Sequence, residues 1–159
     1  MERDDSLLIV YPTRALPASG LSEFLGRGGR IALADDYGSG ESLLRVYGIT
    51  RRPGVRGDPA TLRSNPGLPV ARAAIQHPLT EGVGTLVTNH PAILEHAELR
   101  PIFALEGDAD GLLLTGAVGE GRLLALSDPS VLINNMLEFR GNRRFARNLL
   151  RYLGGDEAG

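Results

Sequence analysis

Three aspartates stand where an apolar run gives way to a turn. Asp35 and Asp36 follow Arg30–Ala34 and open the bend Tyr37-Gly38-Ser39-Gly40, and Asp128 follows Arg122–Ser127 and opens Pro129-Ser130. Open α/β sheets place ligand crevices at the carboxyl ends of their strands, so these residues are expected to share one. Carboxylates gathered there are common ligands for hard cations, and magnesium or calcium would suit an oxygen-only set with Asn89 or Asn134 completing it. Asp36 and Asp128 are the pair on which such a metal would depend. Without a metal, Asp35, Asp36 and Asp128 could serve carboxylate-based acid–base chemistry. Tyr37, Ser39, Asn89, Ser130 and Asn134 complete the candidate crevice.

Other groups carry weaker chemistry. Gly38-Ser39-Gly40 could cradle a phosphate on backbone N–H groups, but two carboxylates precede it and a glycine turn is the simpler reading. Ser39 lacks the GxSxG elbow of a hydrolase nucleophile. His77 and His90 each precede a proline, which biases them to extended geometry. His96 lies between Glu95 and Glu98 and is expected at the surface. The spacing of the three histidines fits no zinc pattern. Arg143, Arg147 and Arg151 recur at helical spacing, opposite Phe145, Leu149 and Leu153. A solvated helix face, its cations favouring the carboxyl end of the dipole, is the plain reading, and nucleic acid is not expected as a partner.

Composition removes several function classes. The chain has 159 residues, 42% of them hydrophobic, and no cysteine. Disulfides, thiolate metal sites and cysteine nucleophiles are therefore excluded. All 17 basic residues are arginine, which excludes Schiff-base lysines and the Walker lysine. The formal charge of −2 favours no class of partner. No apolar run reaches the length of a membrane span, and the acidic start MERDD does not resemble a signal peptide. One soluble, cytoplasmic domain over residues 1–159 is expected.

The elements that must position these residues read as α/β. Strands are expected at Leu7–Tyr11, Arg30–Asp35, Val70–Ile75, Gly84–Thr88, Ile102–Leu105, Leu112–Val118 and Arg122–Ser127, the last two forming a hairpin about Gly119–Gly121. Helices are expected at Ala18–Leu25 and Gly40–Tyr47. A third runs from an Asp128 N-cap with Pro129 at its first position to Leu153, broken near Gly141-Asn142. Ile93–His96 reads as a helical turn or coil. Residues 51–69, with Pro53, Pro59, Pro66 and Pro69, read as an irregular loop or flap.

The blocks GGRIALADDYGSGESLL, HPLTEGV, LVTNHPAIL and GRLLALSDPSVLINNMLEFRGNRRFARNLL, in that order, resemble the prokaryotic family of domain of unknown function 4350. The resemblance implies a class I glutamine amidotransferase-like fold, a flavodoxin-like three-layer arrangement with a mostly parallel sheet, here with a C-terminal hairpin and helix. It implies no activity. Active amidotransferases of that class carry a cysteine in a GxCxG elbow and a later histidine and glutamate. The nearest matches put Asp36 at the nucleophile's place, Asp128 at the histidine's and Ser130 at the glutamate's. The expected function is a non-catalytic binding or protein-interaction module within a larger assembly, with no catalytic residues and no cofactor. The alternative is the metal- or carboxylate-based enzyme. A protein partner is expected and a small-molecule ligand is open. Members of the family often carry membrane segments, so association with the envelope through a partner also stays open.

Overall fold

A computed structural model of the chain describes residues 5–108 and 111–155. The chain enters through strand β1 (Ser6–Val10), helix α1 (Ala18–Gly26), strand β2 (Arg30–Ala34) and helix α2 (Glu41–Val46). Seven strands follow: β3 (Thr50–Pro53), β4 (Val70–Ala73), β5 (Leu86–Val87), β6 (Ala92–Glu95), β7 (Pro101–Leu105), β8 (Gly111–Val118) and β9 (Gly121–Leu126). Short 3-10 turns stand at Leu62–Ser64, Pro78–Thr80 and Pro129–Leu132, and helix α3 (Arg140–Leu153) closes the described chain.

All nine strands belong to one sheet, in the order β1-β2-β9-β8-β7-β4-β5, with β6 pairing both β8 and β3. Only β1 with β2 and β2 with β9 are parallel. The other pairings are antiparallel. This corrects the expected flavodoxin-like, mostly parallel sheet, and the amidotransferase-like fold goes with it. Parallel neighbours need a long crossover, usually an α-helix. Among the described residues no α-helix lies between residues 47 and 139, so the strands there can only turn back on one another.

Burial follows the strand period. Ile31 and Leu33 of β2 pack with Leu21, Phe24 and Leu25 of α1 and Leu43 and Leu44 of α2. Ala32 and Ala34 face the other way, into a core with Phe103, Phe145, Leu149 and Tyr152. Phe103 and Phe145 meet edge to face, centroids 5.6 Å apart. Small alanines on that side leave room for α3 to lie close to the sheet.

Three element boundaries differ from expectation. β3 runs into the stretch expected to be irregular, and β6 replaces the expected coil at 93–96, the two pairing from Thr50↔Glu95 to Pro53↔Ala92. The segment after Asp128 is not a helix to Leu153: a single 3-10 turn ends at Leu132, Ile133 is extended, and α3 starts only at Arg140, with Phe139 as an N-cap that makes no side-chain bond. Between the strands expected at Ile102–Leu105 and Leu112–Val118, residues 109 and 110 lie outside the described residues.

Candidate functional site

The crevice is built at the carboxyl ends of β2 and β9, which lie side by side, and the Asp35 N–H donates to the Leu126 carbonyl at 2.9 Å. Asp35 itself is buried and wholly engaged. Its Oδ1 accepts from the Gly38 N–H at 2.8 Å, and its Oδ2 accepts from the Gly40 N–H at 2.7 Å and from Arg51 Nη1 at 2.8 Å. A side chain at Gly38 or Gly40 would collide with this carboxylate, so the glycines are needed for the backbone to wrap it. Arg51 also donates to the Asp36 carbonyl at 2.7 Å and the Gly38 carbonyl at 3.1 Å. One buried ion pair thereby fixes the whole bend ahead of α2. Arg51, inside the expected loop, was missed by sequence reasoning; the Arg-Arg pair beside a glycine bend was the available signal.

Asp128 is also buried and engaged. It caps the 3-10 turn by accepting from the Ser130 N–H at 2.9 Å, and its other oxygen accepts from the Asn89 N–H at 2.8 Å. Burial pushes its carboxyl up to about 6, against the lowering effect of those backbone bonds, and the nearby Asp36 charge adds to the rise. Asp36 is half-buried and accepts from the Tyr37 N–H at 2.6 Å. The structure thus brings Asp35, Asp36, Asn89, Asp128 and Ser130 to one place. Ser39 is held by its backbone N–H to the Pro12 carbonyl at 2.7 Å. Asn134 lies on an exposed turn beyond the 3-10 segment, outside this bonded set. Among the described residues, no group of three or more His, Asp or Glu side chains is placed to hold a metal ion.

Beside the carboxylates opens a groove of about 360 Å³, lined by Tyr37 and His90 and by Val55, Pro59, Pro66, Pro69 and Pro91. Tyr37 is 56% exposed, a large aromatic surface left to solvent. His90 holds a left-handed backbone at φ 48°, uncommon for a residue with a side chain. Its Nδ1–H donates to Asn89 Oδ1 at 2.7 Å, and its N–H donates to the Gly67 carbonyl at 2.9 Å. The ring lies over Gly67, where a Cβ would strike it. The groove wall is stiff, since proline and a strained turn leave few backbone alternatives.

The other histidines serve the fold. His77 Nδ1 accepts from the Leu79 N–H at 3.1 Å, and its ring rests against Tyr152 with centroids 5.5 Å apart. His96, expected at the surface, is half-buried: Nδ1 accepts from the Glu98 and Leu99 N–H groups, and Nε2 therefore donates to the Tyr47 carbonyl at 3.0 Å.

Fold and crevice define a class, a mixed-sheet α/β domain with buried carboxylates and a stiff groove at the ends of its parallel strands. The chain belongs to the family described as domain of unknown function (DUF4350), whose sequence model matches residues 1–150. No curated protein sequence matches it. Among solved structures it is similar to the mmIFT52 N-terminal domain, with 16% identity and a TM-score of 0.69 over 94% of this chain and 76% of that one. It is similar to Cytoplasmic Protein STM1381 from Salmonella typhimurium LT2, with 14% identity and a TM-score of 0.67 over 94% and 71%. A β-galactosidase from Bacillus circulans sp. alkalophilus shares the fold at 11% identity and a TM-score of 0.62, over 96% of this chain but only 22% of the enzyme. These likenesses show the fold alone. With the amidotransferase-like fold corrected, setting Asp36, Asp128 and Ser130 beside an amidotransferase's catalytic groups no longer has a frame.

Proposed function

We propose that this domain is a non-catalytic recognition module that binds a protein partner within a larger assembly, through the groove between Tyr37 and His90. The observation that carries the reading is what the crevice's polar atoms do. Both oxygens of Asp35 and both of Asp128 accept bonds from the protein's own backbone or from Arg51, so they hold loops in place. A catalytic carboxylate must reach a reacting atom, and these are turned inward. What the groove shows to solvent is Tyr37, His90, Pro66 and the Asp58 carboxylate, backed by the more buried Pro59, Pro69 and Pro91, a stiff contact surface. Likeness to the mmIFT52 N-terminal domain supports an assembly role by analogy of fold. No described helix is long and apolar enough to cross a membrane, and work in the cytoplasm is part of the proposal.

One observation favours the enzyme reading: a carboxyl near 6 beside a second aspartate is the pattern of a general acid. Burial and the two backbone bonds argue against its reaching a substrate. A photo-crosslinking residue in place of Tyr37, in the native cell, separates the two. A discrete protein adduct that is lost in His90→Ala supports recognition. Absence of any protein adduct, together with magnesium- or calcium-dependent turnover lost in Asp36→Asn, supports the enzyme.

A further inference from the structure

We infer that the outer face of α3 is a docking surface for an acidic helical segment of a partner protein; this rests on the recognition reading above and adds a second contact to it. Helix α3, RGNRRFARNLLRYL, carries five arginines and no carboxylate. At 100° per residue, Arg140, Arg143, Arg147 and Arg151 fall within a sector of about 80°, opposite the buried Phe145, Leu149 and Tyr152. Arg144 alone is tied to the body, donating to the Glu81 carbonyl at 3.1 Å. The other four are exposed, and their side chains make no hydrogen bond or ion pair among the described residues.

Where the helix begins changes the meaning of this face. A helix starting at Asp128 would put the arginines near its carboxyl end, where cations are favourable. The helix starts at Arg140, so Arg140 and Arg143 stand in the first turn with Arg144 next to it, at the positive end of the dipole, with no acidic residue in that turn. The pairs 140/144, 143/147 and 147/151 are like charges at i, i+4, which repel. Only Arg151 sits in the last turn, where the dipole helps. Glu81, 3.9 Å from Arg144, offsets that one charge; Arg140, Arg143, Arg147 and Arg151 have no such partner among the described residues, and a bound anionic surface would supply one.

A protein carboxylate row fits better than phosphate. Leu150, at the edge of the sector, is 64% exposed and offers an apolar contact that a nucleic acid backbone leaves empty. The face carries no exposed aromatic for base stacking, and the net charge of −2 provides no general pull on a polyanion. Membrane insertion has no apolar side to use, because α3 already buries its own in the core. Guanidinium forks spaced one helical turn apart match carboxylates at i, i+4 on a facing helix.

The test uses the full chain and a fluorescent amphipathic helical peptide of about 20 residues, with Glu at i, i+4 and i+8 and one Leu beside them. Duplex DNA and vesicles of phosphatidylserine in phosphatidylcholine serve as rival probes. The expected result is peptide binding that weakens with salt, falls at least about tenfold in Arg143→Gln/Arg147→Gln/Arg151→Gln and falls severalfold in Leu150→Ala. The triple variant should melt no lower than the parent, since it relieves repulsion. No peptide binding, binding untouched by the triple variant, or tighter binding of DNA or vesicles overturns the inference. A Tyr37 crosslink that persists in the triple variant while the peptide fails leaves the recognition reading standing and removes only this contact.

Discussion

Asp128 is the residue whose energetics can be read most directly. Its carboxyl is raised from 3.8 to about 6, so the folded chain holds the proton more tightly than the unfolded one. Stability from this group is therefore greatest at low pH and is lost as pH rises from about 4 through about 6, amounting to about 3 kcal/mol. In chemical denaturation from pH 4 to pH 7, Asp128→Asn should flatten that part of the profile, and Asp36→Asn should move the Asp128 titration downward. Arg51 makes the opposite case. It pairs with a buried carboxylate, and Arg51→Met strips Asp35 of its counter-charge and of one of its three bonds, a loss of about 3 kcal/mol expected in urea titrations. The three aspartates were legible in the sequence because each ends an apolar run. The cap at Asp128 was legible too, and the Ser130 N–H bears it out. That Asp35 and Asp128 would be buried and fully engaged was not, because beside their local donors each has a partner distant in sequence, Arg51 from β3 and the Asn89 N–H beyond β5.

At the scale of elements, what was legible is what the local pattern dictates. β1, α1, β2 and α2 lie close to their expected bounds, because an apolar run followed by glycine punctuation leaves little choice. β3 was hidden because its residues open a proline-rich stretch that reads as irregular, whereas Arg52 bonds Glu95 at 2.8 Å and the buried Asp108 at 2.9 Å. Strand direction was not legible either: buried runs look alike in parallel and antiparallel sheets, and only the missing crossover helices decide it. The start of α3 is set by tertiary contact. Asn142 accepts from the Val87 N–H and donates to the Val87 carbonyl, both at 2.9 Å, completing the edge of β5. Gly141 approaches the Thr85 carbonyl too closely for any side chain. Asn142→Ala leaves two buried backbone groups unsatisfied and should cost about 2–4 kcal/mol, measured as a lower urea midpoint with unchanged slope.

For the whole molecule, the central claim is that this DUF4350 domain recognises rather than transforms. Its buried Asp35 and Asp128 lock a scaffold, Tyr37 and His90 face outward along the groove, and the arginines of α3 extend the proposed contact surface on a separate element. A stiff, pre-formed surface loses little entropy on binding, so the energy should concentrate in a few groove side chains. The most direct measurement is calorimetric titration of the purified protein with the partner recovered by the Tyr37 crosslink, in wild type, Tyr37→Ala and His90→Ala. The account predicts a one-to-one complex whose affinity drops at least about tenfold in Tyr37→Ala, with the melting temperature unchanged and the partner chemically intact afterwards. Equal affinity in all three proteins, or chemical conversion of the partner that stops in Asp36→Asn, would contradict it.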